Sequence, residues 1–482
     1  MRAVPDCGPA RALVRAAEQH PHRLSLVDVG ADRTWTVGEA AVAVRRTATV
    51  LSEAGIGPGD RVAVVAPNSA WHFLVHLACA WIGAVTVPLS DRLPALQVVE
   101  RVEAAGARLV VGERVDAPGG IRFLALAELS AAVDGAAAIE GDPPSRCYET
   151  AAILFTSGTT GRARPVELSH SMLWWGSTCF RDGFEYSPAR DIVGVCAPMS
   201  HIGGFNGTSL DVFSHGGTVV LLPGFDARAI LRAIERHRIS MMFVVPTMCH
   251  ALLDALDEHG GDVSSWTRPL VGGDALSPAL DARMRAHGLA PIHVWGMTET
   301  CGAGAMLAPD SPGPSGSIGR PFPYVDLRVV DAHGAPCPSG AIGEIQVRGP
   351  GVVTGDEWLG TGDLGSVDAH GWVSMVGRAA RMINTGGELV APARVEQALV
   401  GLEGIRAALV VGLPDERWGQ VVAAVVVADR GADGLDPRVL ARELAGVLAP
   451  WETVRRVEAV EALPLTANGK PDPAAAVALL TP

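Results

Sequence analysis

Two periodicities divide the chain. Short apolar runs, RVAVVAP (61–67), VTVPL (85–89), GGTVVLLP (216–223) and ISMMFVVP (239–246), read as strands covered on both faces, since such a strand needs no polar alternation. Between them lie stretches with apolar residues at helical spacing, WHFLVHLACAWIGA (71–84) and ARAILRAIERHR (227–238). Strands alternating with helices in this way predict α/β layers. From about Asp326 the texture changes: DLRVVDAHGAPCPSGAIGEIQVRGP (326–350) alternates over short runs between Gly and Pro turns, which predicts a more antiparallel unit. After about Gly377 a third region begins, with VEQALV as a helix, AALVVGLP and VVAAVVVA as strands and a loop near the C-terminus. No internal repeat and no low-complexity tract is visible.

Composition narrows the partners. The 482 residues, 48% of them hydrophobic, exceed what one core usually organises, so two or more domains are expected. Asp plus Glu outnumber Lys plus Arg by 52 to 39, a formal charge of −13, and no basic run could track a phosphate backbone; nucleic acid is not expected as a partner. The cysteines are scattered without a CxxC pair, which suggests neither a zinc site nor a disulfide framework and fits a reducing cytoplasm. The stretch MRAVPDCGPARALVRAAEQHPHR carries charges throughout, and no run of about 18 apolar residues occurs. A protein that is soluble, not exported and not inserted in a membrane is expected.

Candidate chemistry starts at TSGTTGRARP (156–165), which follows the strand-like run AAILF (151–155). Backbone N–H groups and the hydroxyls of Thr156, Ser157, Thr159 and Thr160 can converge there on an anion, while Gly158 and Gly161 let the backbone curl around it. Phosphate is the natural guest. The pattern GxxxxGK[ST] is not met, because no Lys-Ser or Lys-Thr pair follows the glycines, which disfavours an ordinary nucleotide triphosphatase. By composition alone the stretch reads equally as a Ser/Thr/Gly surface loop.

Six further segments decide between the two. APMSHIGGFNG (197–207), VGGDALSP (271–278), VWGMTET (294–300), TGDLG (361–365), GRAARMINTGGELVAPARVE (377–396) and PLTANGKPD (464–472) follow the loop in order. With them the chain resembles the adenylate-forming superfamily of acyl-CoA synthetases, peptide-synthetase adenylation domains and luciferases, over nearly its whole length. The resemblance implies an α/β fold: a large N-terminal portion of two layered α/β subdomains with a β-barrel (residues 1–377), then a small mobile α+β domain (378–482) carrying the catalytic lysine. It also implies ATP-dependent activation of a carboxylate to an acyl-adenylate, with release of pyrophosphate and transfer of the acyl group to a thiol.

The same resemblance assigns residues. A carboxylate is a poor electrophile, and attack on the α-phosphorus of ATP turns its oxygen into part of a leaving group, so the triphosphate must be held, its charge neutralised and the acid oxygen placed in line. Phosphate binding falls to Thr156 through Gly161 with Arg164. Thr298 matches the α-phosphate contact and Glu299 the Mg²⁺ ligand, as suits a hard cation. Gly272, Gly273, Asp274, Trp295, Gly296 and Met297 would flank the nucleotide, with Trp295 packed on the adenine. Asp363 would accept from the ribose hydroxyls and Arg378 would support ribose and phosphate. Lys470 would bridge the acid and the α-phosphate, and Gly386, Gly387 and Glu388 would approach the thiol acceptor. His201 would gate the acyl tunnel, walled by Gly203, Gly204, Phe205, Asn206 and Val271, with Gly302, Ala303 and Gly304 leaving room for a ring or a short chain.

Departures from the pattern stand at Ala163, Arg164 and Pro165, where Pro-Lys-Gly is usual; at Trp295, usually tyrosine; at Arg381, commonly a hinge aspartate; and at Arg394, a glutamate in relatives. The acceptor stays open. CoA is favoured by GGE and by VVGLPDERWGQVVAAVVV (410–427); a carrier-protein thiol, an amine, or activation of nitrite as in diazotising relatives are the alternatives. A non-catalytic binding protein is a third class, disfavoured by Glu299, Asp363, Arg378 and Lys470. The acid expected is aromatic or otherwise of modest size.

Overall fold

The computed structural model describes residues 7–113, 121–157, 163–314, 316–428, 435–466 and 471–481. Among them the strands form three sheets of thirteen, six and five strands. The largest has a parallel centre, in which Ile292–Trp295, Arg268–Gly272, Met241–Val244, Ile192–Val195, Thr218–Leu221 and Leu24–Asp28 lie side by side. The six-stranded sheet is parallel through Arg122–Ala125, Ala107–Gly112, Arg61–Val65, Val85–Leu89 and Thr150–Ser157, and closes with the antiparallel strand Ala163–Ser169. The alternation of apolar runs and helices in the sequence is this arrangement.

One helix joins the two sheets. Ala70–Ile82 touches strands of both, and every residue from Phe73 to Trp81, with Ala70 and His72, is buried. A helix apolar on all sides has no solvent face to keep polar. Its first turn is fixed by Asp28 at the end of Leu24–Asp28, whose Oδ2 accepts the Ala70 N–H at 2.9 Å. Helix Val37–Glu53, which packs beside it, starts with Thr36 and Glu39 accepting each other's backbone N–H groups, a reciprocal cap that satisfies two donors the helix cannot. The other face of the large sheet is covered by Ala227–His237, Pro246–His259 and Pro278–Ala286.

The antiparallel unit continues the large sheet. It starts at Ala305–Leu307, ahead of the Asp326 boundary read from the sequence, because the chain reverses directly after Ile292–Trp295 and pairs back on it. Ser317–Pro321, Val373–Arg378, Leu359–Val367, Gly343–Arg348 and Asp326–Val330 follow in spatial order. The short turn Ala379–Arg381 then leads from Val373–Arg378 into Ile383–Thr385, the first strand of the five-stranded sheet. That sheet is covered on one face by Pro392–Val400 and Pro437–Glu443 and on the other by Pro473–Leu480. The fold is thus mixed α/β, with a large N-terminal portion and a smaller C-terminal unit.

One expectation is corrected. Where the cysteine spacing suggested no disulfide, Cys7 and Cys147 are paired, their Cα atoms 5.7 Å apart. They are separated by 140 residues and meet only because the first helix, Pro9–Gln19, packs near the segment leading into Thr150–Ser157, where Arg11 also donates to the Pro143 carbonyl. The remaining cysteines are free, and all but Cys337 are buried. Burial pushes the thiols of Cys79, Cys179, Cys196 and Cys249 up to about 12, which makes them packing residues and not nucleophiles. No helix among the described residues is long and apolar enough to cross a membrane.

Candidate active site

Trp295, Asp363 and Arg378 converge although 68 and 15 residues separate Asp363 from its two partners. Asp363 and Arg378 are register partners on Leu359–Val367 and Val373–Arg378. The Arg378 Nε donates to Asp363 Oδ1 at 2.9 Å, and the Trp295 indole Nε1 donates to Oδ2 at 3.0 Å. Asp363 is 3% exposed. Burial raises its pKa, against the pull of Arg378 and of the indole N–H. Each carboxylate oxygen keeps a further lone-pair site, so a held, oriented acceptor remains for hydroxyl donors. Arg378 itself is half exposed and can reach a second anion.

The backbone fixes the indole. A Cβ on Gly304 would lie 2.5 Å from the Trp295 ring, so only glycine lets the returning strand pass over it. Directly after Trp295 comes the turn Thr298–Thr300, tied down by Val353 N–H donating to the Glu299 carbonyl at 2.9 Å. Thr298 is buried and Glu299 half-buried. The Glu299 carboxylate has no hydrogen-bond or ion-pair partner among the described residues, which fits a ligand for a hard cation. Strand Ala163–Ser169, on the far side of the TSGTTG loop, packs beside this turn. Thr156 donates to the Arg164 carbonyl at 3.4 Å, and the Arg164 side chain is exposed. Gly158, Thr159, Thr160, Gly161 and Lys470 lie outside the described residues.

Gly272 sits against this group for the same reason as Gly304: its Cβ would lie 2.5 Å from the Val294 carbonyl oxygen. Gly273 follows with φ 81°, and Asp274 caps the Ala275 N–H. Gly296 faces the Gly302 backbone, which leaves no space for a side chain. Met297 donates its N–H to the Thr300 hydroxyl.

The expected acyl wall is differently used. Phe205 and Asn206 are fully buried: Phe205 lies edge-on to His76, and Asn206 is bonded to Ser177 and to the Leu173 carbonyl. Val271 belongs to the core beneath the outer helices. Gly203 and Gly204 admit Phe243 and the Pro198 carbonyl. At the expected Gly302, Ala303 and Gly304, Phe180 stands 3.2 Å from where a Gly302 side chain would begin, Ala303 is 1% exposed, and the Trp295 ring lies against Gly304. His201 stands directly before the short helix Ile202–Phe205, without a side-chain cap bond to it.

A cavity of about 340 Å³ is lined by Met199 and Ser200, the two residues before His201. It opens between the C-terminal ends of strands from both large sheets: Ala66 and Asn68 after Arg61–Val65, Leu89 to Arg92 at the end of Val85–Leu89, Cys196 after Ile192–Val195, Phe225 beyond Thr218–Leu221, and Met248 and Ala251 on helix Pro246–His259. Crevices at strand C-termini are where open α/β sheets bind ligands. Leu465, five residues before Lys470, closes one side. None of the pocket residues expected from sequence lines it; the strand ends themselves were the signal that could have pointed to Arg92 and Phe225.

Gly386, Gly387 and Glu388 stand on the C-terminal unit, in a tight hairpin between Ile383–Thr385 and Glu388–Val390. Both glycines have positive φ, 64° and 92°, as a two-residue turn of this hand requires. Gly386 lies under Trp418. Of the departures, Arg394 pairs with Glu452 at 2.8 Å and donates to the Val447 carbonyl, an anchor internal to the unit. Arg381 reaches Glu396 at 3.4 Å.

Comparison with known proteins agrees with this layout. The model of the AMP-binding enzyme family matches residues 13–355, and that of the AMP-binding enzyme C-terminal domain residues 394–470. A feruloyl-CoA synthase from Amycolatopsis sp. is 34% identical over 95% of this chain and 96% of its own. An indoleacetate–CoA ligase from Aromatoleum aromaticum is 33% identical over 91% and 92%, and a fatty acid–[acyl-carrier-protein] ligase from Streptomyces coeruleorubidus 32% identical over 91% and 90%. Among solved structures, ATP-bound MatB from Rhodopseudomonas palustris superposes with a TM-score of 0.85 at 28% identity, covering 96% of this chain and 97% of that one. The o-succinylbenzoate coenzyme A synthetase of Bacillus subtilis with ATP and magnesium gives 0.85 at 26%, covering 96% and 98%.

Proposed function

Because the chain belongs to the AMP-binding enzyme family, we propose that it is an AMP-forming acid–CoA ligase that activates an aromatic or similarly modest-sized carboxylate with ATP and passes the acyl group to CoA. The observation that carries the reading is the Trp295–Asp363–Arg378 group beside a turn whose Glu299 carboxylate has no partner among the described residues. Asp363 holds the ribose hydroxyls on its remaining lone pairs; Arg378 orients it and faces phosphate. Thr298 donates to the α-phosphate. Glu299 would hold Mg²⁺, whose charge offsets that of the phosphates. Lys470 would neutralise charge that develops as the acid oxygen attacks phosphorus. The volume of about 340 Å³ is within the range of small-molecule pockets and supports a modest acid, as do relatives that act on ferulate and indoleacetate.

The alternative acceptor is a carrier-protein thiol, favoured by the acyl-carrier-protein ligase among the relatives; an amine, or nitrite activated in place of an acid, are further outcomes of the same assay. Release of AMP and pyrophosphate is measured over a panel of acids with and without CoA, and products are weighed by mass spectrometry. A CoA thioester of an aromatic or short acid is expected. Lys470→Ala should lower adenylate formation about 10²- to 10³-fold, the usual cost of losing one such electrostatic donor. Pyrophosphate release with no thioester from any acid would transfer the assignment to another acceptor.

A further inference from the structure

Where strand Ile192–Val195 ends, the chain leaves the large sheet along the cavity. Ala197 and Met199 are buried there, 5% and 1% exposed, beyond the last register partner of the strand, and Pro198 between them has no N–H to give. Buried backbone groups need partners all the same. Asn68 supplies two: its Nδ2 donates to the Ala197 carbonyl at 2.9 Å, and its Oδ1 accepts the Met199 N–H at 2.8 Å. This side chain comes from the six-stranded sheet, just after Arg61–Val65, and is itself buried. We propose that Asn68 is a positioning residue that holds residues 198–201, and with them the cavity wall made by Met199 and Ser200, in the shape that seats the acid. The proposal deepens the ligase reading and rests on it.

The clamp is specific in its chemistry. A carbonyl only accepts and an N–H only donates, so an amide in one orientation satisfies both, which neither an aliphatic side chain nor an ionised carboxylate of the same shape does. Both ends of it are held. Helix Ala70–Ile82 begins directly after Asn68 and Ser69, and Asp28 of the large sheet accepts its Ala70 N–H at 2.9 Å. At the other end the Pro198 carbonyl accepts the His201 N–H at 3.1 Å, and the His201 carbonyl accepts those of Gly204 and Phe205 at 3.1 and 2.8 Å. Helix Ile202–Phe205 presses on the same segment, for a Cβ on Gly204 would lie 2.4 Å from the Pro198 carbonyl oxygen. A shift at residues 197–199 is therefore passed to His201, the side chain expected at the acyl tunnel. Asn68 also lines the cavity, so one side chain borders the space and fixes its wall. The nucleotide group does not share these contacts: Trp295, Asp363 and Arg378 bond to one another on other strands.

Hydrogen exchange on the full chain reads the clamp without substrate. The Met199 amide lies beyond strand Ile192–Val195 and has Asn68 as its partner, so Asn68→Ala should speed its exchange about tenfold, as the loss of one buried hydrogen bond allows. Amides within Ile192–Val195 should keep their rates. Kinetics then separate positioning from plain structural support: the KM for the acid should rise about tenfold, while the KM for ATP stays as it was. Unchanged exchange at Met199 overturns the clamp. Faster exchange with an unchanged acid KM, or with both KM values raised alike, overturns the positioning role. If Asn68→Ala melts early, Asn68→Leu, which fills a similar volume and makes neither bond, is judged by the same two criteria. Should no acid release pyrophosphate from the wild type, the ligase reading falls, and with it the seating of the acid, while exchange at Met199 still decides the clamp.

Discussion

At the scale of single residues, the indole N–H of Trp295 is the least expected member of the site. A tyrosine could pack on adenine as well, but tryptophan also donates to Asp363 and restrains the carboxylate that would meet the ribose. Trp295→Phe keeps an aromatic face and removes the donor. Its KM for ATP should rise about tenfold, the lower range for a hydrogen bond to a charged group, with kcat changed less; an unchanged KM would separate Trp295 from nucleotide binding. Glu299→Gln should move the Mg²⁺ titration of pyrophosphate release to higher concentration, since an amide is a poorer ligand for a hard cation. A superimposable titration would place the metal elsewhere.

At the scale of elements, helix Ala70–Ile82 carries His72 and His76 inside the molecule, with His170 at the start of His170–Phe184 close to His76. Burial lowers their pKa values to about 4, about 3 and about 4. Unfolded, each would take up its proton near pH 6.5, so the unfolded state binds more protons below that value. Stability is therefore complete above about pH 6.5 and falls as the pH drops towards 4, by about 1.4 kcal/mol per pH unit for each histidine. Urea midpoints between pH 7 and 4.5 should show the slope, and His72→Leu should reduce it by about a third. Equal slopes in wild type and variant would mean that His72 is protonated in the folded protein.

At the scale of the whole molecule, the cavity exists only because two sheets end at the same place, and Leu465 of the C-terminal unit closes it. Ala251→Trp would put an indole into it from helix Pro246–His259. Acid-dependent product formation should fall at least tenfold while ATP binding, which depends on residues outside the cavity, stays as it was; about 1.4 kcal/mol of lost transition-state binding suffices for that. Undiminished product would show that neither the acid nor its acceptor passes through.

Much of this was legible in the chain itself. The alternation of fully apolar runs with amphipathic stretches dictated α/β layers, because burial on both faces or on one leaves a local signature. The ordered motifs indicated the reaction class, because the chemistry of a triphosphate and a carboxylate needs particular residue types. What stayed illegible depends on distance. The pairing of Cys7 with Cys147, the bond from Trp295 to Asp363 and the ion pair of Arg381 with Glu396 join residues that only the fold brings together. That Phe180 and Trp295 come close to the glycines after Thr298–Thr300 was likewise not readable from the sequence. A missing side chain announces that something comes close; whether that is a ligand or another part of the protein is decided by packing, which no local pattern records.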